Sequence, residues 1–187
     1  MTGVVTRLTL LAACCGLLVG SANFLTRDTI AVNRAAFDTA QLLQVVGRRQ
    51  FSVTRMNDKL YQLRNPSGEL AGFVFDASTE QGYNGHISLW IGTDLTGRII
   101  GVRVKTHHET PGLGDKIELE ISPWILEFNG KSLANPSAWT VKRDGGQFDQ
   151  FTGATITPRA VVHAVRDGLA GFAQQKARWI REANREL

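Results

Sequence analysis

Nineteen consecutive residues, Leu8 to Thr26, carry no charge. In a helix that rises about 1.5 Å per residue, such a run nearly spans the roughly 30 Å hydrocarbon layer of a bilayer. The first segment must therefore sit in apolar surroundings, and the remaining residues, about 160 of the 187, are enough for one core of their own. Arg7 and the amino terminus precede the run, so the positive-inside rule puts the N-terminus in the cytoplasm, with Arg27 on the far side reducing the asymmetry. A cleaved leader competes with this reading, because Leu11-Ala12-Ala13-Cys14 matches a lipoprotein cleavage box with Cys14 as the lipidated residue. Only six residues separate Arg7 from Cys14, however, and the apolar run continues through Cys15, Leu17, Leu18 and Val19, so an uncleaved anchor is expected. The expected division is an anchor over residues 1–26 and an extracytoplasmic domain over 27–187 that begins with a stalk helix. Gly16 and Gly20 form a Gly-x-x-x-Gly pair suited to packing against a second membrane helix.

Composition narrows the chemistry. The net charge is +4, without a Lys/Arg cluster interleaved with aromatics, which argues against a nucleic-acid partner. Both cysteines lie in the apolar run, so the domain cannot hold a disulfide, a thiolate zinc site or an iron–sulfur cluster of its own. His107 and His108 are adjacent and point to opposite sides of an extended chain; with no third ligand at metal-binding spacing, a metal site is not expected. Trp90, Trp124 and Trp139 read first as core aromatics and second as surfaces for a planar ligand.

Beyond the anchor, Ile30, Phe37, Ala40 and Leu43 recur at helical spacing between Thr29 and Val46, predicting the stalk. Two hairpins follow. Leu60–Leu63 and Leu70–Phe75 flank Asn65-Pro66-Ser67-Gly68, and His86–Ile91 and Ile99–Val104 flank Asp94-Leu95-Thr96-Gly97. Short helices are predicted over Lys116–Leu119 and Pro123–Phe128, and a last strand over Trp139–Lys142. Val161, Val162, Val165, Leu169 and Phe172 predict a C-terminal helix, with Thr157 as its N-cap and Pro158 at its first position. The fold class is α+β, an antiparallel sheet with peripheral helices, preceded by one transmembrane helix.

Immediately before that last helix stands Asp149-Gln150-Phe151-Thr152-Gly153-Ala154-Thr155. A helix start presents unpaired N–H groups and partial positive charge, which favour a phosphate, and Gly153 and Ala154 leave the backbone beside Thr155 open to approach. The pattern resembles Asp-x-x-(Ser/Thr)-Gly-Ala-(Ser/Thr), the acceptor signature of domains in which a flavin transferase joins FMN to the last hydroxyl as a phosphoester. A second segment, His108-Glu109-Thr110-Pro111-Gly112-Leu113-Gly114-Asp115-Lys116-Ile117, resembles the loop that accompanies this signature in the G subunit of the Rnf electron-transport complex and in its relative, the C subunit of the sodium-pumping NADH:quinone reductase. Gly82-Tyr83-Asn84-Gly85-His86-Ile87 is similar to a third family segment, and two roles stand open for it, a turn leading into a strand and a backbone approach to the flavin.

The resemblance implies covalent FMN on Thr155. It also implies a surrounding site of Thr152, Gly153, Ala154, Glu109, Thr110, Pro111, Gly112, Leu113, Gly114, Tyr83 and Gly85, and recognition of Asp149 by the transferase. It further implies a single-pass subunit of the bacterial inner membrane with its C-terminal domain in the periplasm, in contact with lipid and with the other membrane subunits of an Rnf complex. Such a subunit carries electrons in ferredoxin- and NAD(H)-linked ion translocation and is not catalytic alone. The alternatives are the flavinylated subunit of the sodium-pumping reductase, and a periplasmic lipoprotein or non-redox binding module whose Thr-Gly-Ala-Thr is only a capping turn.

Overall fold

The computed structural model describes residues 2–47 and 51–185, with the backbone alone at Thr2 and over 28–41. The chain divides into two units, residues up to 40 and residues from 41 onward. The first unit is helical, the larger part of helix α1, Thr2–Val46. Within it Gly3–Arg27 has a mean hydropathy of 1.9 and no buried residue, and it is the helix among the described residues long and apolar enough to cross a membrane. Leucines, valines and Phe24 are exposed all round it. Such a surface is stable only in an apolar solvent. The hydroxyls of Thr9 and Thr26 turn back to the carbonyls of Val5 and Ala22 at 2.9 and 2.8 Å, so neither needs water.

The second unit is built on five antiparallel strands in sequence order: β1 Ser52–Asn57, β2 Leu60–Arg64, β3 Leu70–Gly82, β4 Gly85–Asp94 and β5 Ile99–Thr106. Their turns follow from short polar side chains that mimic the backbone. Asn65 Oδ1 accepts from the Glu69 N–H at 2.9 Å, and Asp94 Oδ1 accepts from the Thr96 and Arg98 N–H groups. Alternation along the strands gives the sheet two apolar faces. Phe73, Phe75, Ile87, Leu89 and Ile91 build the larger core, while Leu63, Val74 and Trp90 join Leu42, Val45 and Val46 of the end of α1 in a smaller one.

Three short 3-10 helices, Asp115–Ile117, Pro123–Phe128 and Lys142–Asp144, precede helix α2, Ile156–Ala183. Helix α2 lies on the larger core, where Phe172 stacks on Phe75 with ring centres 5.6 Å apart, and Trp179 tilts against Phe73 at 5.8 Å. Gly168 permits this approach, because a Cβ there would stand 2.8 Å from Ile91 Cδ1. Arg64 donates to the carbonyl of Ala183 at 2.8 Å and so ties the end of α2 to β2.

Both predicted hairpins form, as do the helix at Pro123–Phe128 and the C-terminal helix. Strand β1 has no counterpart among the expectations, for Ser52–Asn57 is an edge strand with mostly exposed side chains and little apolar alternation. The predicted strand Trp139–Lys142 does not form. Val141 makes one isolated bridge to Phe148, and Gly146 seats so tightly on the Thr140 carbonyl that a Cβ would lie 1.9 Å from its oxygen. The chain therefore doubles back before a ladder can grow. In the stalk, Ile30, Phe37 and Ala40 lie outside the residues whose side chains are described. Leu43 is exposed, and the apolar face is instead Leu42, Val45 and Val46.

Candidate functional site

Phe151 is buried with its ring edge-on to Trp124 at 5.1 Å, and the N–H of Ala154 donates to its carbonyl at 3.1 Å. The turn so closed carries Thr152 and Gly153 at its tip. Gly153 takes φ +83°, the left-handed value that the third residue of such a turn requires. Thr155 then sits as the N-cap of α2 with φ −93° and ψ −26°, and its hydroxyl makes no capping hydrogen bond. The expected cap, Thr157, lies instead inside the first turn and is buried, its hydroxyl donating to Glu109 Oε2, so Pro158 follows the helix start by two residues. The turn at Gly153 directly in front of the helix thus places the cap two residues earlier than the Thr157-Pro158 pair suggests.

Opposite this turn lies the loop after β5. The Thr110 carbonyl accepts from the N–H groups of Leu113 and Gly114 at 3.1 and 3.0 Å, and Gly112, at φ +77°, donates to Asp115 Oδ2 at 2.8 Å. Leu113 leans over the Phe151–Ala154 turn, its Cδ2 within 3.6 Å of where a Gly153 Cβ would be. The third wall is the tip of the β3–β4 hairpin, where Gly82 pairs with Gly85 and the N–H groups of Tyr83 and Asn84 point at the Glu109 carboxylate.

The three segments enclose a cavity of about 290 Å³. Thr155, Gly153, Ala154, Glu109, Thr110, Leu113, Gly114 and Tyr83 line it, joined by Ile156 and Thr157, which sequence reasoning did not assign to the site. Thr152, Pro111, Gly112 and Gly85 are not among its walls; Gly112 and Gly85, at φ +77° and +92°, shape the two turns behind it. The missed pair was within reach, since both residues open the helix whose N-terminus was already singled out.

Polar and apolar groups are divided across the cavity. Tyr83, Leu113 and Ile156 are exposed apolar side chains among its walls, and Thr155, Ile156 and Thr157 bring the N-terminal end of α2 to it. No acidic residue of α2 itself occupies its first turn, Arg159 there is paired with Asp144 at 2.7 Å, and the negative group that faces the helix start is Glu109, which accepts from the Thr157 hydroxyl.

Asp149 stands where the chain enters the Phe151–Ala154 turn. Its carboxylate pairs with Lys142, whose ammonium is held above its usual pKa by that bond. Its N–H donates to Glu127 Oε2 at 3.1 Å. Burial pushes the Glu127 carboxyl up from its ordinary value, against that N–H bond.

The tryptophans are core residues. Trp90 meets Tyr61 edge-on at 5.5 Å beneath the Lys105 ammonium, Trp124 packs on Phe128 and Phe151, and Trp139 packs on Phe128 and Phe148. None of them lines the cavity. The His107 imidazole accepts from the Glu109 N–H through Nδ1 at 3.0 Å and meets Glu118 through Nε2 at 2.5 Å, and among the described residues no cluster of metal ligands is gathered.

Residues 82–170, which hold all three walls, match the family model of the FMN-binding domain. The chain is 41% identical over 171 residues to the G subunit of the ion-translocating oxidoreductase complex of Haemophilus influenzae (strain PittEE), covering 83% of this chain and 82% of that one. It is 39% identical over 178 residues to the subunit of the same name from Pectobacterium atrosepticum, covering 86% and 85%. A shorter stretch of 95 residues is 59% identical to the Escherichia coli O157:H7 subunit, covering 50% and 46%. In three dimensions the chain is similar to the crystal structure of Shewanella oneidensis NqrC, with a TM-score of 0.51 over 72% of this chain and 71% of that one; at 22% identity, that likeness concerns the fold.

Proposed function

We propose, from the premise that this chain belongs to the family of ion-translocating oxidoreductase complex G subunits, that its domain holds FMN covalently on Thr155. The chain is an FMN-binding electron-transport subunit of a membrane complex. The single observation that carries the attachment reading is the hydroxyl of Thr155, the N-cap residue of α2, which makes no capping hydrogen bond.

The residues fit the group. The N–H groups at the α2 start suit a phosphate, Gly153 and Ala154 leave its approach open, and the apolar edge of Tyr83, Leu113 and Ile156 suits a planar ring. Forming a phosphoester from a free phosphate in water is uphill, so the donor must be an activated FMN carrying a phosphoanhydride. The Thr155 Oγ–P bond forms as the anhydride bond breaks, and the hydroxyl proton leaves with the departing phosphate. A flavin transferase supplies that catalysis, and the exposed Asp149 carboxylate beside Lys142 is the feature it reads. Bound FMN supplies one- and two-electron transfer. The chain's own residues bind and orient it.

The anchor, residues 1–26, holds the domain at the bacterial inner membrane among lipid and the other subunits of an Rnf-type complex. The placement of Arg7 before the apolar run supports a periplasmic position for residues 27–187. There a covalent bond has a physical advantage, since a dissociated flavin could not be regained from the cytoplasm. Electrons then pass through this domain on the route that links ferredoxin and NAD(H) to ion translocation. The test is a denaturing gel of the wild-type chain coexpressed with a competent transferase. Flavin fluorescence should migrate with the polypeptide and map to the peptide containing Thr155, and its absence would end the attachment reading.

A further inference from the structure

We infer that Glu109 is a positioning residue for the acceptor Thr155 and not a contact of the flavin, an inference that rests on the attachment reading above. Glu109 is 5% exposed although it borders the cavity. Its Oε1 accepts from the Asn84 N–H at 2.9 Å, and its Oε2 accepts from the Tyr83 N–H at 3.2 Å and from the Thr157 hydroxyl. One carboxylate thus joins the hairpin tip to the first turn of α2. Hydrogen bonds to a charged acceptor are the strong kind, and here they also spread the negative charge over three donors.

The clasp is held from behind as well. The Glu109 N–H donates to His107 Nδ1, so the proton of that imidazole is on Nε2, facing Glu118 at 2.5 Å. Two glycines close over the carboxylate. A Cβ on Gly82 would lie 2.8 Å from Glu109 Oε1, and one on Gly114 would lie 2.9 Å from Glu109 Cβ and 3.0 Å from Thr157 Oγ1. The position of the carboxylate is therefore determined on every side, and it ends on a residue two places beyond Thr155. Fixing Thr157 fixes the rotation of the first turn of α2 and with it the place of the Thr155 hydroxyl. Placement at this level matters to a nucleophile, since a displacement of about 1 Å can cost on the order of a hundredfold in rate.

The experiment follows covalent flavin incorporation into the full-length chain in detergent, with flavin transferase and an FMN donor activated as a phosphoanhydride. It compares wild type with Glu109→Gln, Thr157→Val, Thr157→Ser and the Glu109→Gln/Thr157→Val pair. Each of the first two should slow incorporation by about tenfold or more. The pair should be no slower than the slower single change, because both break one linkage. Thr157→Ser should restore the rate, which a general loss of packing would not allow. In the flavin-free protein, hydrogen exchange at the Tyr83 and Asn84 amides should quicken in Glu109→Gln. Should that variant fail to fold, the Thr157→Val and Thr157→Ser contrast decides alone. Wild-type rates in the folded single variants, multiplying effects in the pair, or unchanged exchange would overturn the inference while leaving Thr155 as acceptor. A wild type that takes up no flavin would overturn the attachment reading instead.

Discussion

The indole N–H of Trp124 donates to the backbone carbonyl of Asp149 at 2.8 Å. The same Trp124 holds Phe151 edge-on, and the Asp149 N–H is taken up by Glu127, so the start of the Phe151–Ala154 turn is anchored by its backbone. The Asp149 side chain is left at the surface against Lys142. The backbone of Asp149 thus serves the fold, while its side chain stays at the surface, where the proposed transferase would read it.

Thr155→Val should abolish covalent flavin, because it removes the only side-chain atom able to form the ester. Since the Thr155 hydroxyl makes no capping bond, stability should change by no more than about 0.5 kcal/mol. Thr155→Ser should retain loading. Asp149→Ala should reduce loading with little loss of stability, as the bonds to Trp124 and Glu127 come from its backbone. Fluorescent gels beside thermal unfolding check both halves, and covalent flavin in the valine variant would move the acceptor elsewhere.

Gly112 and Gly114 are needed for different reasons. Gly112 has φ +77° with no atom within 4 Å of an added Cβ, so only conformation restricts it. Gly112→Asn should be tolerated, and Gly112→Val should cost about 1–2 kcal/mol. Gly114 has an ordinary φ of −86°, yet its Cβ would press on Glu109 and Thr157, so Gly114→Ala should cost about 1–3 kcal/mol by overpacking. Denaturant unfolding orders the variants; Gly114→Ala proving milder than Gly112→Asn would contradict this assignment.

Burial raises the Glu127 carboxyl above its ordinary 4.5, partly countered by the Asp149 N–H. Between 4.5 and the raised native value, the folded chain binds more protons than the unfolded one. The contribution of this group to stability is therefore complete below 4.5 and is lost as pH rises through the native value. Glu127→Gln keeps an oxygen for the Asp149 N–H and cannot titrate. Its Tm should lack that decline as pH rises above 4.5. Parallel Tm curves for variant and wild type would count against it.

Protease added to spheroplasts should cleave the domain after Arg27, whereas inverted vesicles should protect it, as the early Arg7 and the apolar run require. Cleavage only in inverted vesicles would reverse the orientation.

The sequence by itself determined whatever depends on local pattern. The apolar run from Leu8 to Thr26 specifies an apolar solvent, the turn residues at Asn65–Gly68 and Asp94–Gly97 specify two hairpins, and the periodicity from Val161 to Phe172 specifies α2. Thr155 and its glycine turn were legible for the same reason, since the helix start and the motif are contiguous. Tertiary structure alone decided that Thr157 is buried on Glu109 and does not cap the helix, that Gly146 folds Trp139–Lys142 away from the sheet, and that Ile156 joins the cavity wall. Those outcomes depend on which segments meet. A carboxylate at position 109 finds its donors at 83, 84 and 157, and no local pattern in the chain encodes such a meeting, because it is the packing of the sheet against α2 that brings the three together.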